Sequence, residues 1–179
     1  MSKIFLTSDT HFGHDRDFIW KPRGFSNVHE MNEEIVRRWN SIVTEDDIVY
    51  HLGDIMLGDD SVGLSYLKQL NGMIYIAFGN HDTSKRIHLY KQCHNVMDVQ
   101  MGFRVKNKKK TCILTHYPTV TANGEDTRTI NFFGHTHQQT NFYEDKPYMY
   151  HVGMDSHNCY PVDIELALQE IKNKKGENL

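Results

Sequence analysis

The apolar positions of this chain follow two alternating spacings, short runs of strand length and longer stretches that return once per helical turn. Residues 3–8, centred on Ile4-Phe5-Leu6, predict a strand. Val28, Met31, Ile35, Val36, Trp39, Ile42 and Val43 then recur at helical spacing, with Asn27 as N-cap and Glu30 supporting that start. Residues 48–52 predict a second strand that runs into Gly53-Asp54. Val62, Leu64, Leu67 and Leu70 predict a helix capped by Asp60 or Ser61. Residues 73–78 form the third predicted strand and 85–93 a further helix.

The second half is read mainly as β. Strands are predicted over 96–105 and 111–115, joined by a turn at Asn107-Lys108, and over 131–133, 141–143 and 148–152. Ile164, Leu168 and Ile171 after an Asp163 cap predict a closing helix, and the lysine-rich end over 172–179 is expected to fray. Strands alternating with helices, followed by mainly strands, imply an α/β layered fold with two sheets between helices. No repeat or linker divides the chain, so one domain over 1–179 is expected.

Composition narrows the class. Hydrophobic residues at 39% and charged residues at 24% match soluble globular domains, which argues against a disordered chain or a membrane protein. The longest apolar runs, such as 73–78, fall well short of a bilayer span, and the first residues lack a secretion signal's apolar core, so a cytoplasmic location is expected. Cys93, Cys112 and Cys159 are odd in number and lack C-x-x-C spacing, which fits core thiols better than disulfides or a zinc ribbon. A formal net charge of −3 is too small to imply a polyanionic partner.

Five polar clusters change the picture: Asp9-Thr10-His11, Gly53-Asp54, Gly79-Asn80-His81-Asp82, His116, and Gly134-His135-Thr136-His137. Each follows the end of a predicted strand, the edge at which α/β sheets form ligand sites. Their carboxylates, amide oxygen and imidazoles suit borderline divalent metals such as zinc, manganese or iron, whereas calcium would want more oxygen. The i, i+2 spacing of Asp9 with His11, and of His135 with His137, can aim both side chains one way. Glycines before Asp54, Asn80 and His135 allow a sharp turn at each strand end. Singly, a Gly-Asp pair is usually a turn and a buried histidine usually a satisfied core group; the joint occurrence is what points to a metal site.

Together the motifs resemble the calcineurin-like metallophosphoesterase family, whose pattern is D-x-H, G-D, G-N-H-D/E, H and G-H-x-H; the match runs from Asp9 to His137. The segment 8–14 and the later Val152-Gly153-Met154-Asp155 are similar to small phage and bacterial members, although Ser156-His157-Asn158 stands where those relatives usually carry an aromatic residue. The resemblance implies a four-layer α/β/β/α sandwich of two mixed sheets flanked by helices. It also implies two divalent metal ions, manganese first, with iron, zinc or nickel as alternatives. Asp9, His11 and His137 would hold one ion, Asn80, His116 and His135 the other, and Asp54 both. His81 would face the scissile phosphate and assist the leaving oxygen, with Asp82 orienting it; Asp82 also reads as a helix N-cap before Lys85.

Substrate recognition is expected from 14–25, where Phe18, Trp20 and Phe25 interleave with Arg16, Lys21 and Arg23. His14, Arg16 and Arg23 are the candidate contacts, against the plainer reading of a loop packing its aromatics on the body. Arg104, Lys106, Lys108, Lys109 and Lys110 form either a solvated turn or, if they flank the cleft, a patch for nucleic acid. The expected activity is hydrolysis of small phosphate esters, diesters (cyclic nucleotides among them) ahead of monoesters. The alternatives are a metal-dependent nuclease on single strands and a non-catalytic scaffold of the same fold. No membrane partner is expected.

Overall fold

Phe5 and Leu6 face opposite ways from one strand, and each enters a different core. That alternation builds the layers seen in the computed structural model, which describes residues 2–121 and 128–176. In the first sheet β1 (Ile4–Thr7), β2 (Ile48–His51), β3 (Met73–Ala77) and β4 (Val96–Gln100) run parallel, and β9 (Val162–Asp163) joins antiparallel to β1. The order is β4-β3-β2-β1-β9. The second sheet has the order β5-β6-β7-β8, from Gly102–Asn107, Lys110–Thr115, Thr129–Phe133 and Met149–His151; β5 is antiparallel and the others parallel.

Two mixed sheets flanked by helices make up the architecture, as the resemblance implies. On the first sheet, Phe5, Val49, Ile74 and Ile76 pack with Ile19 of the short α1 (Asp17–Trp20), Met31, Ile35 and Trp39 of α2 (Val28–Ile42), Leu67 of α3 (Asp60–Leu67) and Tyr90 of α4 (Ser84–Tyr90) in one core. The other core joins Leu6, Leu52 and Ala77 to Cys112, Leu114, Ile130 and Phe132 of the second sheet and to Ile164, Ala167 and Ile171 of α5 (Ile164–Lys174). A fully buried large side chain contributes about 1.5–3 kcal/mol, so the first core fixes the helices on the first sheet and the second fixes the two sheets against each other. All three cysteines are buried free thiols. Among the described residues no helix is long and apolar enough to cross a membrane.

Caps set the helix starts. Asn27 accepts from Glu30 N at 2.9 Å, while the Glu30 carboxylate accepts from Ser26 N at 2.8 Å. Asp163 caps α5 as expected, but α3 is capped by Asp59, one residue before the earlier expected position, and α4 by Thr83. The predicted strand over 96–105 breaks at the exposed Met101, and its halves, β4 and β5, belong to different sheets. Residues 141–143 form no strand: Phe142 makes a single bridge to Tyr150 and a 3-10 turn follows over Tyr143–Asp145. The expected frayed end is helical through Lys174, and 177–179 lie outside the described residues.

Register decides where the chemistry meets. Thr7 pairs with His51 and His51 with Ile76, so β1, β2 and β3 end level. In the second sheet Leu114, Phe132 and Tyr150 are aligned. A bridge between Ser8 and Gly153 ties the two edges together.

Candidate metal centre

The segments after β1 and β2 stay paired beyond the sheet, with Asp9 N donating to Gly53 O at 2.9 Å and His11 N to Asp54 O at 3.1 Å. Both turn through left-handed conformations: φ is +58° at Asp9, +50° at His11 and +56° at Asp54, and His135 and His137 lie at +69° and +49°. Non-glycine residues seldom adopt this region, at a cost of about 1–3 kcal/mol each, and such strain gathers where a site over-determines the backbone. The glycines divide in role. Gly53 turns at φ +92°, whereas Gly79 is needed for room, since a Cβ there would lie 2.3 Å from Asp54 Oδ1 and 2.7 Å from the His116 ring.

Two donor groups result. Asp9, His11 and His137 bring their ligand atoms within 4.8 Å of one another, and so do Asp54, His116 and His135. Asn80 Oδ1 joins the second group, 3.0 Å from His116 Nε2, with His135 Nδ1 at 3.2 Å from the same nitrogen. His116 Nδ1 lies 2.8 Å from Leu52 O, a contact that only a protonated nitrogen can make as donor. With its proton on Nδ1, the ring turns Nε2 toward the amide oxygen of Asn80. Acceptors that converge without a proton between them fit a cation.

The first group leaves orphans of the same kind, because Asp9 Oδ1 and His11 Nε2 are buried without a hydrogen-bond partner. Asp9 Oδ2 is occupied by Ser8 Oγ at 2.5 Å and His135 N at 2.9 Å, which aims Oδ1 into the site. Asp54 lies between the groups. Its Oδ1 accepts from His81 N at 2.9 Å, and its Oδ2 is 3.8 Å from His11 Nε2 and 3.5 Å from His116 Nε2. The seven residues expected as ligands thus converge, with Asp54 between the two groups, and their donor chemistry fits divalent cations.

Burial and the crowding of ionisable groups set the electrostatics of the site. Burial raises the Asp54 carboxyl pKa, opposed by His116 and the His81 N–H and reinforced by Asp9 and Asp82. Burial also drives His11 well down and lowers His135, each with help from neighbouring imidazoles. His14 falls to about 4 through burial, His81 and Arg16. His137 differs: burial works against its charge, yet the hydrogen bond to Asp155 and the Asp9 charge raise it. The Asp155 carboxyl, despite burial, is held well below the usual range by His137 and Arg23.

The remaining expected residues separate. The half-exposed His81 points its ring at the site, with Nε2 3.8 Å from Asp54 Oδ2 and its centroid 5.5 Å from that of His11. Asp82 does not orient that ring and does not cap α4. Its Oδ2 accepts from Asp54 N at 2.7 Å and Gly79 N at 2.8 Å, and its Oδ1 from Tyr90 Oη at 2.7 Å, so it clamps the loops after β2 and β3 together. A carboxylate committed to main-chain donors has no lone pair turned toward a neighbouring imidazole.

His14 stands at the mouth, its Nδ1 3.3 Å from His11 Nδ1 and its ring edge-on to Phe18, which is 69% exposed. Arg16 is exposed beside it. Arg23 corrects the sequence reading: it is no rim cation, because its side chain is 1% exposed and forms a fork to Asp155. Phe25 likewise packs in the first core. The basic hairpin does not flank the site either. Asn107 pairs with Lys110 at the far end of β6, while His116 follows its other end, about 17 Å away at 3.3 Å per residue. Sequence reasoning missed the links that support the ligands: Ser8 on Asp9, Asp155 on His137, and Tyr117, whose ring lies edge-on to His135 with centroids 4.7 Å apart. Of these, Asp155 left a signal as the end of the Val152-Gly153-Met154-Asp155 motif and Ser8 as the start of the segment 8–14, whereas Tyr117 left none.

Comparison with known proteins agrees with this geometry. Residues 2–173 match the calcineurin-like phosphoesterase superfamily domain. The uncharacterized protein MJ1445 of Methanocaldococcus jannaschii is 31% identical over 98% of this chain and 94% of its own length. The gene 66 protein of Mycobacterium phage D29 is 26% identical over 100% of both chains. The crystal structure of AQ665 from Aquifex aeolicus, a protein of unknown function, superposes with a TM-score of 0.73 at 20% identity, over 95% of this chain and 100% of that one, a likeness of fold. With its motifs matched over nearly its whole length and their side chains gathered at one edge, the chain belongs to the calcineurin-like phosphoesterase superfamily.

Proposed function

We propose that the protein hydrolyses phosphate esters, diesters before monoesters, using two divalent cations, manganese first among them. The observation that carries this reading is the pair of lone-pair clusters on either side of Asp54. When bound there, divalent cations supply electrophilic charge and lower the pKa of water toward about 7. The chain contributes the rest. Asp54 is held by the main chain of His81 with its second oxygen free between the groups, and His81 is anchored in turn, its carbonyl accepting from Arg86 Nη1 at 2.9 Å. Its half-exposed imidazole faces the open side of the site and can hand a proton to the departing oxygen. His14, neutral at physiological pH, can donate a hydrogen bond to a phosphate oxygen without adding charge.

Preference for diesters rests on the side-chain charge at the rim, the two cations being common to either substrate. A monoester carries about −1.5 to −2 at neutral pH, a diester about −1, and the guanidinium nearest the ligands, Arg23, is already neutralised by Asp155. Arg16 at the mouth suits a single negative charge better than two. The nuclease alternative loses the support of the basic hairpin, which lies at the opposite end of the second sheet. A small phosphate ester is the proposed partner.

The test is direct. Protein stripped with a chelator should lose turnover of a bis-aryl phosphodiester and regain it with manganese or another transition metal, at a higher kcat/KM than for the matching aryl monoester. Absence of metal-restored turnover on any mono- or diester would favour a scaffold, and a monoester preference would overturn the charge argument.

A further inference from the structure

The Arg23 guanidinium has five N–H donors, and five acceptors meet them. Nε and Nη2 bind the Asp155 oxygens at 3.0 Å each, Nη2 also donates to Asp9 O at 2.8 Å, and Nη1 reaches Thr10 O at 3.3 Å and Met31 Sδ at 3.6 Å. Arg23 and Asp155 are 1% and 5% exposed in their side chains and stand 132 residues apart in sequence. From the same carboxylate, Asp155 Oδ2 lies 2.9 Å from His137 Nδ1. That contact places the proton on Nδ1 and leaves Nε2 facing Asp9 Oδ1, 4.0 Å away.

One buried ion pair therefore touches two of the three ligands in the Asp9 group and no member of the other. It grips the carbonyls of Asp9 and Thr10, just after the left-handed turn at Asp9 (φ +58°), and it fixes the ring of His137, itself at φ +49°. A buried pair gains little stability over an apolar filling of the same volume, so stability alone gives no reason for this arrangement. The orientation of metal ligands does.

We infer that Arg23 and Asp155 are positioning residues for one cation only, aiming His137 Nε2 and the left-handed Asp9 strand end at the site formed with His11. The inference rests on the reading of this edge as a two-cation centre. Lysine at 23 keeps the charge but cannot supply a planar fork and two carbonyl contacts at once. Asparagine at 155 keeps the shape and removes the anion that holds His137.

Chelator-stripped wild type, Arg23→Lys and Asp155→Asn are titrated with Mn(II), reading bound metal directly and by electron paramagnetic resonance. Wild type should bind two ions and give the signal of an exchange-coupled pair. Each variant should keep one ion at wild-type affinity, bind the second roughly 10–100-fold more weakly, and give an isolated-ion signal at one equivalent. Nitrogen shifts of His137 in the metal-free protein should move away from the Nδ1-protonated form in Asp155→Asn. Two ions bound with unchanged affinity in both folded variants would overturn the inference alone; so would equal weakening of both ions. Wild type binding no manganese would sink the two-cation reading beneath it. Loss of folding in both variants would make the pair structural and overturn the inference as well.

Discussion

The two donor groups of the candidate metal centre are held in different ways. Around Asp54 the partners are main-chain groups: Leu52 O for His116, His81 N for Asp54 itself, and the Asp54 and Gly79 N–H groups gathered by Asp82. Around Asp9 they are largely side chains brought from afar, with Asp155 and Arg23 from loops of different layers and Ser8 from the strand end. A backbone partner survives most substitutions, because every residue carries the same N–H and C=O. An ion pair fails when either member changes. The Asp54 half is therefore the robust one, and tuning of the centre has most scope in the Asp9 half.

The largest expected effect separates chemistry from assembly. His81 touches the Asp54 half through its backbone, so His81→Ala should leave both cations bound while turnover on esters with poor leaving groups falls by about 10²–10⁴-fold. Activated aryl leaving groups should suffer much less. Equal loss across leaving groups would make His81 an electrostatic stabiliser instead of a proton donor, and loss of metal would show that its ring, too, belongs to the frame.

Next comes the clamp. In Asp82→Asn one oxygen becomes an amide NH2 facing donors that now bind a carboxylate, and the loss should be about 2–3 kcal/mol in denaturant unfolding. Affinity for metal should fall on the Asp54 side first, the mirror of the Arg23 and Asp155 variants. A stability change with both sites weakened alike would dissolve the distinction between the halves.

The effect that is smallest near neutral pH is one of titration. His51, fully buried, lies 3.0 Å from Thr10 Oγ1 beneath the Asp9 strand end, and burial lowers its pKa to about 4, against the pull of Asp82 and Asp9. The unfolded chain binds a proton near pH 6.5 that the folded chain refuses. Stability from this group is thus complete above pH 6.5 and falls as pH drops toward 4, by about 1.4 kcal/mol per pH unit. His51→Gln should remove one proton's worth of slope from denaturation curves of the metal-free protein over that window. An unchanged slope would mean that His51 is charged in the fold.

Most of the fold's grammar was local, and so legible. The helical spacing from Val28, the Asn27 and Asp163 caps and the short apolar strands all depend on neighbours in sequence, and they stand where periodicity puts them. Failures came where distant partners decided the outcome. Met101 and Gly102 divide a continuous β-pattern between two sheets, and nothing within 96–105 reveals that the second half pairs only with β6. The two-residue β9 is a strand only because β1 is beside it.

The sequence by itself determined the donor set, since strand-end motifs carry both the residue types and the place in the sheet where they must emerge. Tertiary structure alone decided which polar side chains serve the donors. Arg23 reads from its neighbours as a surface cation, and only packing turns it inward to Asp155. Asp82 reads as the partner of the histidine beside it, and only the meeting of two loops gives it three backbone donors and a tyrosine. The physical reason is range. Ligand identity is a property of a side chain, whereas hydrogen-bond partnership is a property of what the folded chain brings within about 3 Å.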